Sequence, residues 1–179
     1  MSSKNLENEK IYLSSIENEN DISKMYYWIN NKELVNFNSS FFPVHLKNHI
    51  EWFENIRKDK STVIFGIRKK EDNELIGTCQ LHSINPIHKK AELQIRLQLE
   101  SSSKGYGKEA LKILIDYGFN DLNLNKIYLN VFETNSRAIS LYEKMGFQKE
   151  GILRRDIFLN GKYINVYVMS ILTEEWNIR

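Results

Sequence analysis

Leu93-Gln94-Ile95-Arg96-Leu97-Gln98-Leu99, then Ser102-Ser103-Lys104-Gly105-Tyr106-Gly107-Lys108, then Ala110-Leu111-Lys112-Ile113-Leu114-Ile115, is the stretch that decides how this chain of 179 residues folds. Apolar and polar residues alternate in the first segment, the pattern of a strand with one buried face. Ala110, Leu111, Leu114, Ile115 and Phe119 recur at helical spacing, so the glycines lie where a strand hands over to a helix. The first turn of a helix carries unpaired backbone N–H groups and the positive end of the helix dipole. Small residues let an anion approach those donors closely. The turn is therefore a candidate phosphate cradle, or a plain connection. Neither common nucleotide-binding motif fits. The first glycine of G-x-x-x-x-G-K-[ST] is missing and Lys108 is followed by Glu109. G-x-G-x-x-G fails at Ala110, the turn lies past mid-chain, and residues 123–126 offer no acidic partner.

A second motif lies downstream, Asn130-Val131-Phe132-Glu133-Thr134-Asn135-Ser136-Arg137-Ala138-Ile139-Ser140-Leu141-Tyr142-Glu143-Lys144-Met145-Gly146-Phe147. It reads as a strand over 126–132, a cap at Asn135, a short helix and a glycine stop at Gly146. Ala138, Leu141, Tyr142 and Met145 share one face of that helix. The pattern N-x-x-A-x-x-L-Y-x-K-x-G-F, paired in this order with the x-x-G-x-G turn, resembles the GNAT superfamily of N-acetyltransferases. The resemblance extends over nearly the whole chain. Ile11-Tyr12-Leu13 looks like the family's first strand. Trp28-Ile29-Asn30-Asn31 and His49-Ile50-Glu51-Trp52-Phe53 look like the N-terminal helices of one branch, which acetylates nucleotide-linked amino sugars and ribosomal-protein N-termini. Glu150-Gly151-Ile152-Leu153-Arg154, Asn160-Gly161-Lys162-Tyr163 and Val168-Met169 resemble that branch's closing hairpin.

Bulk properties agree with a small enzyme. The length suits a single domain spanning 1–179 with one sizeable core. Lysine and arginine number 25 against 23 acidic residues, a net charge of +2, which demands neither nucleic acid nor an anionic membrane as partner. Residues 1–10 are polar, no apolar run reaches membrane-spanning length, and the single Cys79 cannot pair within the chain, so a cytoplasmic location is expected. Helices are expected over 20–31, 44–58, from 105 and from 135. Strands are expected near 10–16, 62–69, 75–84, 90–99, 126–132, 152–159 and 162–172. Glu71-Asp72-Asn73-Glu74 and Asn160-Gly161 mark turns, the latter a type I′ hairpin. The order implies an α/β (α+β) fold: one central, mixed, mostly antiparallel sheet flanked by helices.

What the resemblance implies for chemistry can be placed residue by residue. Acetyl-CoA is the expected acyl donor, with no metal. Backbone amides of Ser103, Lys104, Gly105, Tyr106, Gly107 and Lys108 would take its pyrophosphate, with Ser102 where relatives often carry Gln or Arg. The strand carrying Ile95 and Leu97 would pair with the pantetheine arm, and Asn135 and Ala138 would touch the cofactor from the opposite side. Asn135 is equally a helix cap. Tyr142 matches the family's general acid, because a phenol of pKa about 10 keeps its proton for a leaving thiolate of pKa about 8.5. A core aromatic is the alternative reading.

The expected general base is missing. Relatives often carry glutamate at the position of Asn130, and an amide cannot accept the amine's proton. Glu92 and His82 are the candidate bases, beside a water chain to bulk solvent. Asn165 stands where relatives often have Asp. Cys79 lacks a basic neighbour that would activate it as a nucleophile. The expected reaction is direct acetyl transfer to a small primary amine. A nucleotide-linked amino sugar ranks first, a ribosomal-protein N-terminus second and a polyamine third, since no dense acidic cluster is visible. Trp28, Asn30, His49, Trp52 and Phe53 would form the acceptor shelf. A non-catalytic acyl-CoA-binding module is the competing class. The expected assembly is a monomer or homodimer.

Overall fold

The architecture grows from the strand–turn–helix unit. In this computed structural model, which describes residues 6–36 and 41–178, seven strands form one sheet in the order β1-β2-β3-β4-β5-β7-β6. They are β1 (Ile11–Ser14), β2 (Val63–Lys69), β3 (Leu75–Asn85), β4 (Lys90–Leu97), β5 (Lys126–Phe132), β6 (Gln148–Leu159) and β7 (Lys162–Leu172). Every neighbouring pair is antiparallel except β4 and β5. That parallel pair is joined through α4 (Tyr106–Asn120), the crossover such a connection needs. The expected mixed, mostly antiparallel sheet is the one found.

Both sheet faces are covered. The apolar stripe of α4, with Leu111, Leu114 and Ile115 fully buried, packs with Ile76, Leu81, Ile127, Leu129 and Met169 into the larger core. α5 (Ser136–Met145) adds Tyr142 and Met145 to the same cluster. The opposite face receives α1 (Glu19–Ile29), the one-turn α2 (Lys32–Val35) and α3 (Leu46–Lys58) over a smaller core of Met25, Trp28, Leu34, Phe53 and Leu75. α1 is tied to the sheet by the buried Asp21, which pairs with Arg68, while Arg68 Nε donates to Ser14 Oγ at 3.0 Å. α6 (Thr173–Asn177) ends the described chain, its Trp176 Nε1 donating to Asp116 Oδ1 at 2.7 Å. Among the described residues no helix is long and apolar enough to cross a membrane.

Several boundaries differ from the sequence expectation, each for a local reason. α3 begins at Leu46 rather than 44, because both backbone groups of Val44 are held by the Asn30 side-chain amide at 2.9 and 3.1 Å. α2 was not expected: its single turn is nucleated by Asn31, whose side chain caps Glu33 and Leu34. β4 stops at Leu97, and the chain turns through a 3₁₀ segment at Leu99–Ser101. β6 starts at Gln148, ahead of the expected 152, because two register breaks in its pairing with β7 disturb the period-two pattern. Asn160 and Gly161 take φ of 49° and 82°, as the type I′ hairpin requires.

One feature of the sheet positions the site. β4 and β5 pair only through Lys90↔Lys126, Ala91↔Ile127 and Glu92↔Tyr128. Beyond that rung the strands part, and residues 93–97 and 129–132 border a fork.

Candidate active site

The fork opens into a groove of about 670 Å³ between the end of β4, the 102–108 turn and α5. Ile95 and Leu97 supply one wall; Ser102, Ser103, Gly105, Gly107 and Lys108 supply the end at the helix start; Asn135, Ala138 and Tyr142 supply the opposite side. The turn has the backbone expected of an anion cradle. Ser103 and Gly105 both adopt positive φ, 66° and 87°, and Gly105 caps α4 in the left-handed region. Gly107 sits where α4 meets the sheet, since a Cβ there would lie 3.2 Å from Leu97 Cδ1. Lys108, Arg137 and Lys144 line the groove, so cations surround the helix start. A long donor ending in phosphates fits that set: cationic rim, free first-turn amides and an unpaired strand edge for amide groups. Lys104 and Tyr106 line a neighbouring cavity of about 590 Å³ between α1 and the β2–β3 turn instead.

Asn135 both caps α5, accepting from Ala138 N at 3.2 Å, and lines the groove. Tyr142 is 9% exposed, packs its ring 5.6 Å from Phe147, and has its phenol pushed up to about 12 by burial. The proton therefore stays on oxygen at any working pH. Cys79 is buried and its thiol is pushed well above the usual range by desolvation, which leaves it inert as a nucleophile.

Glu92 and His82 face one another across β3 and β4, and Tyr128 continues the row on β5. The Glu92 carboxylate accepts from Asn130 Nδ2 at 3.0 Å, and Tyr128 is held protonated first by burial and then by Glu92. The amide at 130 and the carboxylate at 92 thus form one pair across the last joined rung of the fork. His82 lies beside Ser83 Oγ at 3.3 Å. Neither Glu92 nor His82 lines the groove itself; Glu92 is two residues, about 7 Å by strand rise, from Gln94, which shares its face of β4 and lines a second cavity rather than the groove. Asn165 is a strut of the closing hairpin, bonded to Glu133 at 2.7 and 3.0 Å and accepting from Arg155 N at 2.8 Å.

On the other side of β4 lies a second cavity of about 400 Å³, under α1 and α3. Trp28, His49 and Trp52 of the expected acceptor shelf line it, together with Gln80, Gln94 and Arg96. Phe53 is instead part of the smaller core, and Asn30 spends its amide on Tyr26 and Val44. Arg96 lines both this cavity and the groove, and the sequence reading did not single it out. Its signal was there: three polar residues in period two on a central strand, a face assumed solvated that α1 and α3 cover. Among the described residues no cluster of three His, Cys, Asp or Glu could hold a metal ion.

Comparison with known proteins follows the same lines. Over 105 residues the chain is 42% identical to spermidine N(1)-acetyltransferase of Escherichia coli K12, a match covering 59% of this chain and 56% of the relative's length. Of solved structures, the crystal structure of spermidine N-acetyltransferase from Vibrio cholerae with CoA and spermine superposes with a TM-score of 0.89 at 31% identity, covering 95% of this chain and 99% of that one. A dodecameric structure of the Vibrio cholerae enzyme gives 0.81 at 32% identity over 94% and 97%. Residues 10–148 match the acetyltransferase (GNAT) domain family, a span that takes in both motifs and the fork between them, and the chain belongs to that family.

Proposed function

We propose that this protein transfers the acetyl group of acetyl-CoA directly to a small primary amine. The observation that carries the reading is the convergence of the helix-start turn, the free edge of β4 and the Tyr142 phenol on one groove. Acetyl-CoA supplies an acyl group activated as a thioester. The 103–108 turn and the cations around it hold its phosphates, and the edge of β4 at Ile95 and Leu97 orients its arm. Tyr142 donates a hydrogen bond to the departing sulfur. With its pKa near 12, complete proton transfer to a thiolate of about 8.5 is uphill, so the phenol stabilises developing charge and solvent completes protonation. Glu92, at the apex of the fork, takes the amine's proton through water, with Asn130 fixing its carboxylate.

Likeness to spermidine N-acetyltransferases supports a polyamine over the nucleotide-linked amino sugar, the reverse of the order read from sequence. The acceptor-side cavity does not add to that support: no carboxylate lines it to receive a polycation. A cytoplasmic location remains a proposal. So does the monomer or homodimer, beside the dodecamer described for the Vibrio cholerae relative. The test is release of free thiol from acetyl-CoA across spermidine, compact amines, an amino sugar nucleotide and an N-terminal peptide. Turnover with a small amine is expected. Coenzyme A binding with no thiol release on any of them would leave the non-catalytic acyl-CoA-binding module.

A further inference from the structure

Two buried side-chain atoms among the described residues have no hydrogen-bond partner, His49 Nε2 and Arg96 Nε. Both residues line the same cavity, the one of about 400 Å³ beside the groove. Buried polar atoms are almost always satisfied, yet neither of these two is itself open to the cavity, so what the cavity offers a ligand is the Arg96 side chain that lines it, with no protein group to satisfy it.

Their chemistry is complementary. His49 is 4% exposed, and burial holds its imidazole below the ordinary value, so the ring is neutral. The ring nitrogen other than Nε2 is engaged by the backbone of Ile22, and the ring lies stacked 5.4 Å from Trp52. Nε2 then carries an unused lone pair. Arg96 is a permanent cation, and among the described residues no acidic side chain pairs with it or lines the cavity. A guanidinium drawn out of water without a counter-charge is costly, and its planar fork matches an oxyanion in two hydrogen bonds. Gln80 Nε2 donates to Gln94 Oε1 at 2.6 Å, so that neighbouring pair of amides is bound to itself and offers Arg96 no charge. Met25, Trp28, Ile29, Val44 and Ile64 complete apolar walls. Arg96 also lines the groove, which puts the cation at the junction where acceptor and donor must meet.

We infer that the acceptor is a compact primary amine that carries its own acidic group, a carboxylate or a phosphate, bound by the Arg96 guanidinium. A polycation would meet like charge here with no carboxylate to offset it. The inference rests on the transferase reading and deepens it by naming the substrate class.

The experiment compares kcat/KM at saturating acetyl-CoA for γ-aminobutyrate and O-phosphoethanolamine against butylamine, which has the amine without the acid, and spermidine. An acid-bearing amine is expected to exceed both others at least tenfold, and the better of the two tells carboxylate from phosphate. Arg96→Gln should cut that ratio at least fivefold, and Arg96→Lys should keep part of it. Quenching of Trp28 and Trp52 fluorescence by the same four amines without acetyl-CoA ranks binding independently of turnover. Butylamine or spermidine equal to or better than both acid-bearing amines would overturn the inference, as would an undiminished ratio in folded Arg96→Gln. Selective quenching by an acid-bearing amine without thiol release would sink the transferase reading and, with it, the acceptor assignment.

Discussion

Tyr142 shows how one residue's packing sets its ionisation. The same face of α5 that packs Ala138 against the core and buries Met145 carries the phenol inward, and desolvation then raises its pKa to about 12. Two outcomes are expected. Tyr142→Phe keeps the ring and removes the donor, so kcat should fall about 100-fold while coenzyme A affinity by calorimetry barely moves. The wild-type kcat profile should show no alkaline limb below pH 10, since the phenol stays protonated until pH approaches 12. Near-normal turnover in the variant would return Tyr142 to packing alone. Asn135 was legible because capping and groove contact use one position. Arg96 was not, since a strand's alternation does not reveal what covers its polar face.

Among the elements, the 102–108 turn is where sequence and geometry agree most closely. Positive φ at Ser103 and Gly105 aims successive backbone groups one way, and the tight approach of α4 to β4 leaves little room at Gly107. Gly107→Asp places bulk against Leu97 and a negative charge at the phosphate end of the groove. Coenzyme A binding should weaken at least tenfold with the far-ultraviolet circular dichroism spectrum retained. Unchanged affinity would remove the phosphate assignment. The periodic helices and the 126–132 and 162–172 strands were readable because local pattern and tertiary burial coincide there. α2, the late start of α3 and the early start of β6 were not, because each is set by a partner elsewhere: Asn31, Asn30 and the irregular pairing with β7.

For the molecule as a whole, the two cores on opposite sheet faces have to be held in register, and the buried Asp21–Arg68 pair is the polar link between α1 and β2. Asp21→Ala leaves a half-buried guanidinium without its counter-charge and should cost about 3 kcal/mol in urea unfolding. A loss below about 1 kcal/mol would show that Ser14 and Asn73 satisfy Arg68 by themselves. By itself the sequence determined the order of the seven strands and the four longer helices, the glycine turn at the start of α4, the Asn135–Tyr142 helix and the family, because periodicity, capping and glycine placement are local properties of the chain. Only the tertiary structure decided that β4 and β5 part after Glu92, that Asn130 meets Glu92 across that rung, and that Arg96 and His49 share one cavity. Each of those depends on strands and helices far apart in sequence, and pairing across such distances is fixed by packing rather than by pattern.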